Sequence, residues 1–124
     1  MPKVVVGVWV SLIFVVATLS LWPGGLVSDH FHIDKLGHFG AYALLAFLPA
    51  ILGRSMYWLI GVTVGLIAAG ILLEAGQFWV PGRVPSFVDG WANTTGVVAG
   101  FLTGRICATK WLLLNTEPHQ LAGS

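Results

Sequence analysis

Residues 74–93 read EAGQFWVPGRVPSFVDGWAN, and they decide the fold because they set Glu74, Gln77, Arg83, Ser86, Asp89 and Asn93 between two long apolar segments. Only 9% of the 124 residues are charged, and about half of those charges fall in this stretch or in residues 34–42, DKLGHFGAY. A soluble domain usually carries about 25% charged residues. With 56% hydrophobic residues and a mean hydropathy of +0.86, the chain has the composition of a membrane protein. Its length leaves room for one domain of roughly four spans of about 20 residues each. The formal charge of +1, without a basic patch, excludes a nucleic-acid surface. A single cysteine, Cys107, excludes an internal disulfide and any multi-cysteine metal site, and in its apolar run it reads as a small buried hydrophobe.

Upstream of Glu74 the chain is apolar back to Met56, so Glu74 lies about 27 Å along a helix that continues to about Trp79, at 1.5 Å per residue. That is close to the hydrocarbon thickness of about 30 Å and puts Glu74 at the edge of the bilayer, away from its centre. Downstream, Pro81, Gly82 and Pro85 keep a loop irregular. Ser86 then opens the next helix, with Asp89 at the S-x-x-[DE] spacing of a capping box. Farther out, residues 4–21 form an uncharged run closed by Trp22-Pro23-Gly24-Gly25. That run is long for a signal peptide and lacks a clear small-residue cleavage site, so it reads as a retained first span. Asp34 suits the N-cap of the second helix. Arg54-Ser55 makes a very short turn between antiparallel neighbours. The expectation is an all-α bundle of four transmembrane helices, spanning about 4–21, 35–53, 56–79 and 88–108, with a tail over 109–124.

Basic residues set the orientation. With the N-terminus inside, Lys3, Arg54, Arg105 and Lys110 are cytoplasmic while Lys35 and Arg83 are outside. The positive-inside rule therefore predicts N-in and C-in, with both polar stretches at the outer leaflet of the cell membrane and the tail in the cytoplasm.

Helical periodicity then sorts the faces. Lys35, His38 and Tyr42 share one stripe, extended inward by Ala46 and Pro49. Asp89, Asn93, Gly96, Gly100 and Gly104 fall in one band whose polar outer end gives way to glycines. Glycines four apart let helices approach closely in lipid, so this band is expected to pack on another helix, as is the Gly61/Gly65 pair. An intramembrane charge costs about 2.5–3.5 kcal/mol on insertion scales, which drives Lys35, His38, Glu74, Arg83 and Asp89 together into one polar pocket.

DKLGHFGAYALLAF, EAGQFWVPGR and SFVDGWANTTGVVAG together resemble the VanZ-like family, named for a protein associated with low-level resistance to the glycopeptide teicoplanin. The resemblance covers about residues 34–104. Its motifs are D-K-x-x-H-x-x-x-Y, E-x-x-Q, a loop arginine and D-x-x-x-N-x-x-G. They fall on Asp34, Lys35, His38, Tyr42, Glu74, Gln77, Arg83, Asp89, Asn93 and Gly96. The resemblance implies a small four-helix integral membrane protein and names no settled reaction.

Several of these residues also have purely structural readings. Asp34 and Asp89 suit helix caps, Lys35 can snorkel, and Asn93 can fasten two helices. His30 and His32, with Asp29 or Asp34, have a ligand-like spacing that is common by chance; no metal or cofactor is expected. Two functional readings remain. In the first, the pocket binds a membrane lipid or lipid-linked cell-wall precursor headgroup: Lys35 and Arg83 meet an anionic group, and Tyr42, Gln77 and Asn93 surround it. In the second, an intramembrane hydrolase or transferase uses His38 or Glu74 as acid-base, Asp89 to orient the histidine or a metal, and Arg83 to stabilise developing negative charge. The second reading lacks an evident nucleophile.

Overall fold

The computed structural model describes residues 2–23, 31–53 and 55–116, and of residues 31–34, 115 and 116 the backbone alone. Asp29, His30, Arg54 and the side chains of His32 and Asp34 lie outside the described set. Among the described residues the chain is all helical: α1 (Lys3–Ser20), α2 (Phe31–Leu52), α3 (Met56–Gly76) and α4 (Phe87–Thr116), with a 3-10 turn at Gln77–Trp79 ending α3. All four helices are long and apolar enough to cross a membrane.

Helix ends differ from expectation in two places. α2 already begins at Phe31, so the Asp34 backbone lies within the helix and not at the N-cap position. α4 runs on through the apolar WLLL to Thr116, because nothing between Gly104 and Thr116 breaks a helix. Ser55 caps α3 by accepting from the Trp58 N–H at 3.4 Å.

The outer faces suit lipid. Val64, Leu72, Leu102 and Ile106 are all exposed. Exposed Trp22, Trp79 and Phe87 ring one end, and Tyr57, Trp58 and Trp111 the other, as aromatic belts do at the two membrane interfaces. Cys107 is exposed as well, so it is not the buried hydrophobe its sequence context suggests.

α2 and α4 form the tightest contact. A Cβ added at Gly96 would meet the Phe39 carbonyl, and one at Gly100 the Ala43 carbonyl; one at Gly104 would lie 2.8 Å from both Ala50 Cβ and the Phe47 carbonyl oxygen. The glycine row therefore lets α4 lie directly on the α2 backbone. Gly61 and Gly65 behave differently. An added Cβ there meets nothing within 4 Å, so among the described residues this pair faces outward and packs against no neighbour.

Tyr42, Leu45, Ala46, Leu66 and Val97 make the core, with Trp9, Leu12, Ile13 and Val16 of α1 laid against it. Pro49 sits inside α2. Lacking an N–H, it leaves the carbonyl four residues earlier, that of Leu45, without its helical donor. The Trp9 indole Nε1 donates to that oxygen at 2.7 Å. In lipid, where no water replaces a lost backbone bond, this rescue binds α1 to α2. Arg105 of α4 similarly donates to the carbonyls of Ala50 and Gly53 at the end of α2, both at 3.4 Å.

A polar cluster at one end of the bundle

Three helices bring polar side chains to the end where α2 and α4 begin and α3 finishes. On α3 the buried residues are Leu59, Leu66, Gly70 and Glu74, one inward stripe continued by Gln77. Gly70 makes room: a Cβ there would lie 3.2 Å from the Tyr42 ring and 3.4 Å from Asn93. Glu74 follows one turn later and faces the same neighbours.

Lys35 Nζ lies 2.7 Å from Asp89 Oδ1, forming an ion pair between α2 and α4. One turn deeper, His38 Nδ1 donates to Asn93 Oδ1 at 3.1 Å, which fixes the ring and makes Nε2 the basic nitrogen of the neutral imidazole. Asn93 thus helps to orient His38. The Ser86 N–H donates to Glu74 Oε2 at 3.3 Å. A capping box would send that N–H to the acid three residues on; here Asp89 turns to Lys35 and Glu74 takes its place. Ligand atoms of His38, Glu74 and Asp89 all fall within 4.8 Å of one another. Glu74, Asp89 and Asn93 are buried.

Gln77 and Arg83 go elsewhere. Gln77 Nε2 donates to the Ser20 carbonyl at 3.1 Å. Arg83 donates through Nη2 to Leu19 at 2.7 Å and through Nε to Trp22 at 3.2 Å, both carbonyls. The last carbonyls of a helix have no partner within it, so these two side chains close the C-terminus of α1. A turn aims the arginine: the Arg83 N–H donates to the Val80 carbonyl at 3.2 Å, with Pro81 and Gly82 between and Gly82 at φ 78°. That positive φ is why glycine stands there. Tyr42 is buried in the core, its ring beside Gly70 and so below the cluster.

A groove opens beside the cluster, between α3 and α4. It has a volume of about 550 Å³, its walls include Ile67, Ile71, Phe78, Phe87, Gly90 and Trp91, and Glu74 and Ser86 line it too. Its apolar wall residues were not legible in the sequence, because apolar side chains in an apolar helix carry no signal. Gly90 leaves space in that wall, since a Cβ there meets nothing within 4 Å.

A family model described as VanZ/LLP1 matches residues 3–108, a range that takes in every residue of the cluster. No curated protein and no solved structure matches the chain. The motif residues of the sequence, placed as above in a bundle of four apolar helices, agree with that match: the chain belongs to the VanZ/LLP1 family.

Proposed function

We propose that the protein binds a membrane lipid or lipid-linked envelope precursor, with the hydrocarbon chain in the α3–α4 groove and the polar head at Lys35, His38, Glu74, Asp89 and Asn93. One observation carries this reading: Glu74 and Ser86 belong to the polar cluster and to the wall of the apolar groove at once. An amphiphile needs that junction. Ligand sites are mostly apolar with a few placed polar groups, which is the composition found here. Arg83 and Gln77 hold α1 in this scheme and contribute only by keeping the loop in place, and Tyr42 supports the cluster from below.

With the N-terminus inside, the site opens on the outer leaflet of the plasma membrane. There, holding a cell-wall precursor would change glycopeptide access and so bear on resistance. A second reading is favoured by the Asn93–His38 bond, which presets a basic imidazole nitrogen beside Glu74. In it the same site hydrolyses its lipid, with His38 activating water.

The test is native mass spectrometry of the protein purified with its lipids. Wild type is expected to retain a lipid, and Gly90→Leu, which fills open space in the groove, to retain at least tenfold less. Glu74→Gln should change the headgroup class retained. Equal lipid retention in all three folded proteins sinks the proposal.

A further inference from the structure

We infer that His38, Glu74 and Asp89 form a binding site for one divalent transition-metal cation, zinc by ligand type. Three observations converge. The first is reach: one imidazole and two carboxylates, from three different helices, bring ligand atoms within 4.8 Å of one another. Ligands about 2.1 Å from a tetrahedral ion lie roughly 3.4 Å apart, so side-chain adjustments of about an ångström complete the coordination.

The second is support. Metal-bound histidines commonly donate their other nitrogen to an oxygen, and metal-bound carboxylates are themselves hydrogen-bonded. Each of the three side chains has such an anchor: His38 Nδ1 on Asn93, Glu74 Oε2 on the Ser86 N–H, and Asp89 Oδ1 on Lys35. The anchors come from α4, the α3–α4 loop and α2, so the ligands are held whichever helix is considered.

The third is charge. Two buried acidic side chains, Glu74 and Asp89, share one partly buried lysine, Lys35, in an apolar bundle. Isolated charge in such surroundings drives pairing. A divalent ion offsets that excess of acidic groups, and three protein ligands leave a coordination position for an outside oxygen. The site then favours an anionic oxygen such as a phosphate ester, a role that Arg83, with its donors on α1, does not fill. Imidazole with two carboxylates suits zinc, iron or manganese better than magnesium or calcium.

The cation site stands apart from the lipid reading, because ion binding is measured without added lipid. The protein, purified without a histidine tag and stripped with chelator, is titrated with Co²⁺ while visible absorption reports coordination, and Zn²⁺ then displaces it. One ion per chain is expected. His38→Ala and Glu74→Gln should each weaken binding at least a hundredfold; the latter keeps an oxygen for the Ser86 N–H. Asn93→Ala, which removes only the anchor of the histidine, should weaken it by about 10- to 100-fold. Substoichiometric Co²⁺ in wild type, or unchanged affinity in Glu74→Gln with helical content retained, overturns the inference. Lipid retained with no metal bound would sink this proposal and leave the preceding one standing; metal bound with no lipid would do the reverse.

Discussion

At the scale of single residues, the protein uses side chains to repair its own backbone. Pro49 takes a donor from Leu45, Trp9 restores it, Arg105 closes the end of α2, and Arg83 with Gln77 closes the end of α1. Leaving a buried acceptor unmet costs about 1–3 kcal/mol. Trp9→Phe is therefore expected to lose that amount, plus a smaller packing loss, in denaturant titration of the micellar protein. The diagnostic lies in combination with Pro49→Ala. With alanine at 49, an N–H returns to the Leu45 carbonyl, so Trp9→Phe should cost at least about 1 kcal/mol less in that background, a coupling that a double-mutant cycle reads directly. Additive losses would mean that Trp9 acts by packing alone. These repairs also explain why Arg83 and Gln77 were hard to read. Their residue types and depth suit a binding pocket, but their partners are main-chain carbonyls, which a pattern of side chains does not display.

At the scale of elements, two rows of glycines with the same spacing do opposite things. Gly96, Gly100 and Gly104 touch the α2 backbone, whereas Gly61 and Gly65 face open surroundings. Spacing alone reports that a face is smooth; what lies against it depends on the arrangement of the whole bundle. The α4 row was legible because it continues a polar band, Asp89 and Asn93, that has to be buried in lipid. No polar residue marks the Gly61 face. Gly100→Leu is accordingly expected to drive α4 off α2 and cost more than 3 kcal/mol, with loss of a monodisperse folded species on gel filtration. Gly65→Leu should leave the bundle intact and stabilise it by up to about 1 kcal/mol through helix propensity. Equal damage from both would contradict the α2–α4 interface described above. The existence and order of the four helices were readable from hydropathy and from Pro and Gly punctuation. Helix ends were less so: α2 starts before Asp34 and α4 outlasts its apolar core, since neither boundary carries a breaker.

At the scale of the whole molecule, the question that bears most on function is which side of the membrane the cluster faces. The ends of α1 and α3 and the beginnings of α2 and α4 share one side, together with Lys35 and Arg83. Both of these cations are already engaged, one by Asp89 and one by helix carbonyls. Engaged in this way they serve the folded bundle, but during insertion they count as free positive charge against translocation. Lys3, Arg54, Arg105 and Lys110 outnumber them at the other side, which favours keeping the N-terminus in the cytoplasm. A reporter fused after Arg54 should therefore signal from the cytoplasm and one fused after Arg83 from outside. The margin is two charges, so adding two lysines beside Arg83 levels the count and should yield a mixed population from the second fusion. Uniform external signal from that variant would show that the first helix, and not the loop charges, sets the orientation. A cytoplasmic signal after Arg83 in the unaltered chain would move the groove and the His38–Glu74–Asp89 cluster to the inner leaflet. A cell-wall precursor would then be met only before its transfer outward, and an effect on glycopeptides, which act outside, would have to come from the supply of precursor and not from its shielding.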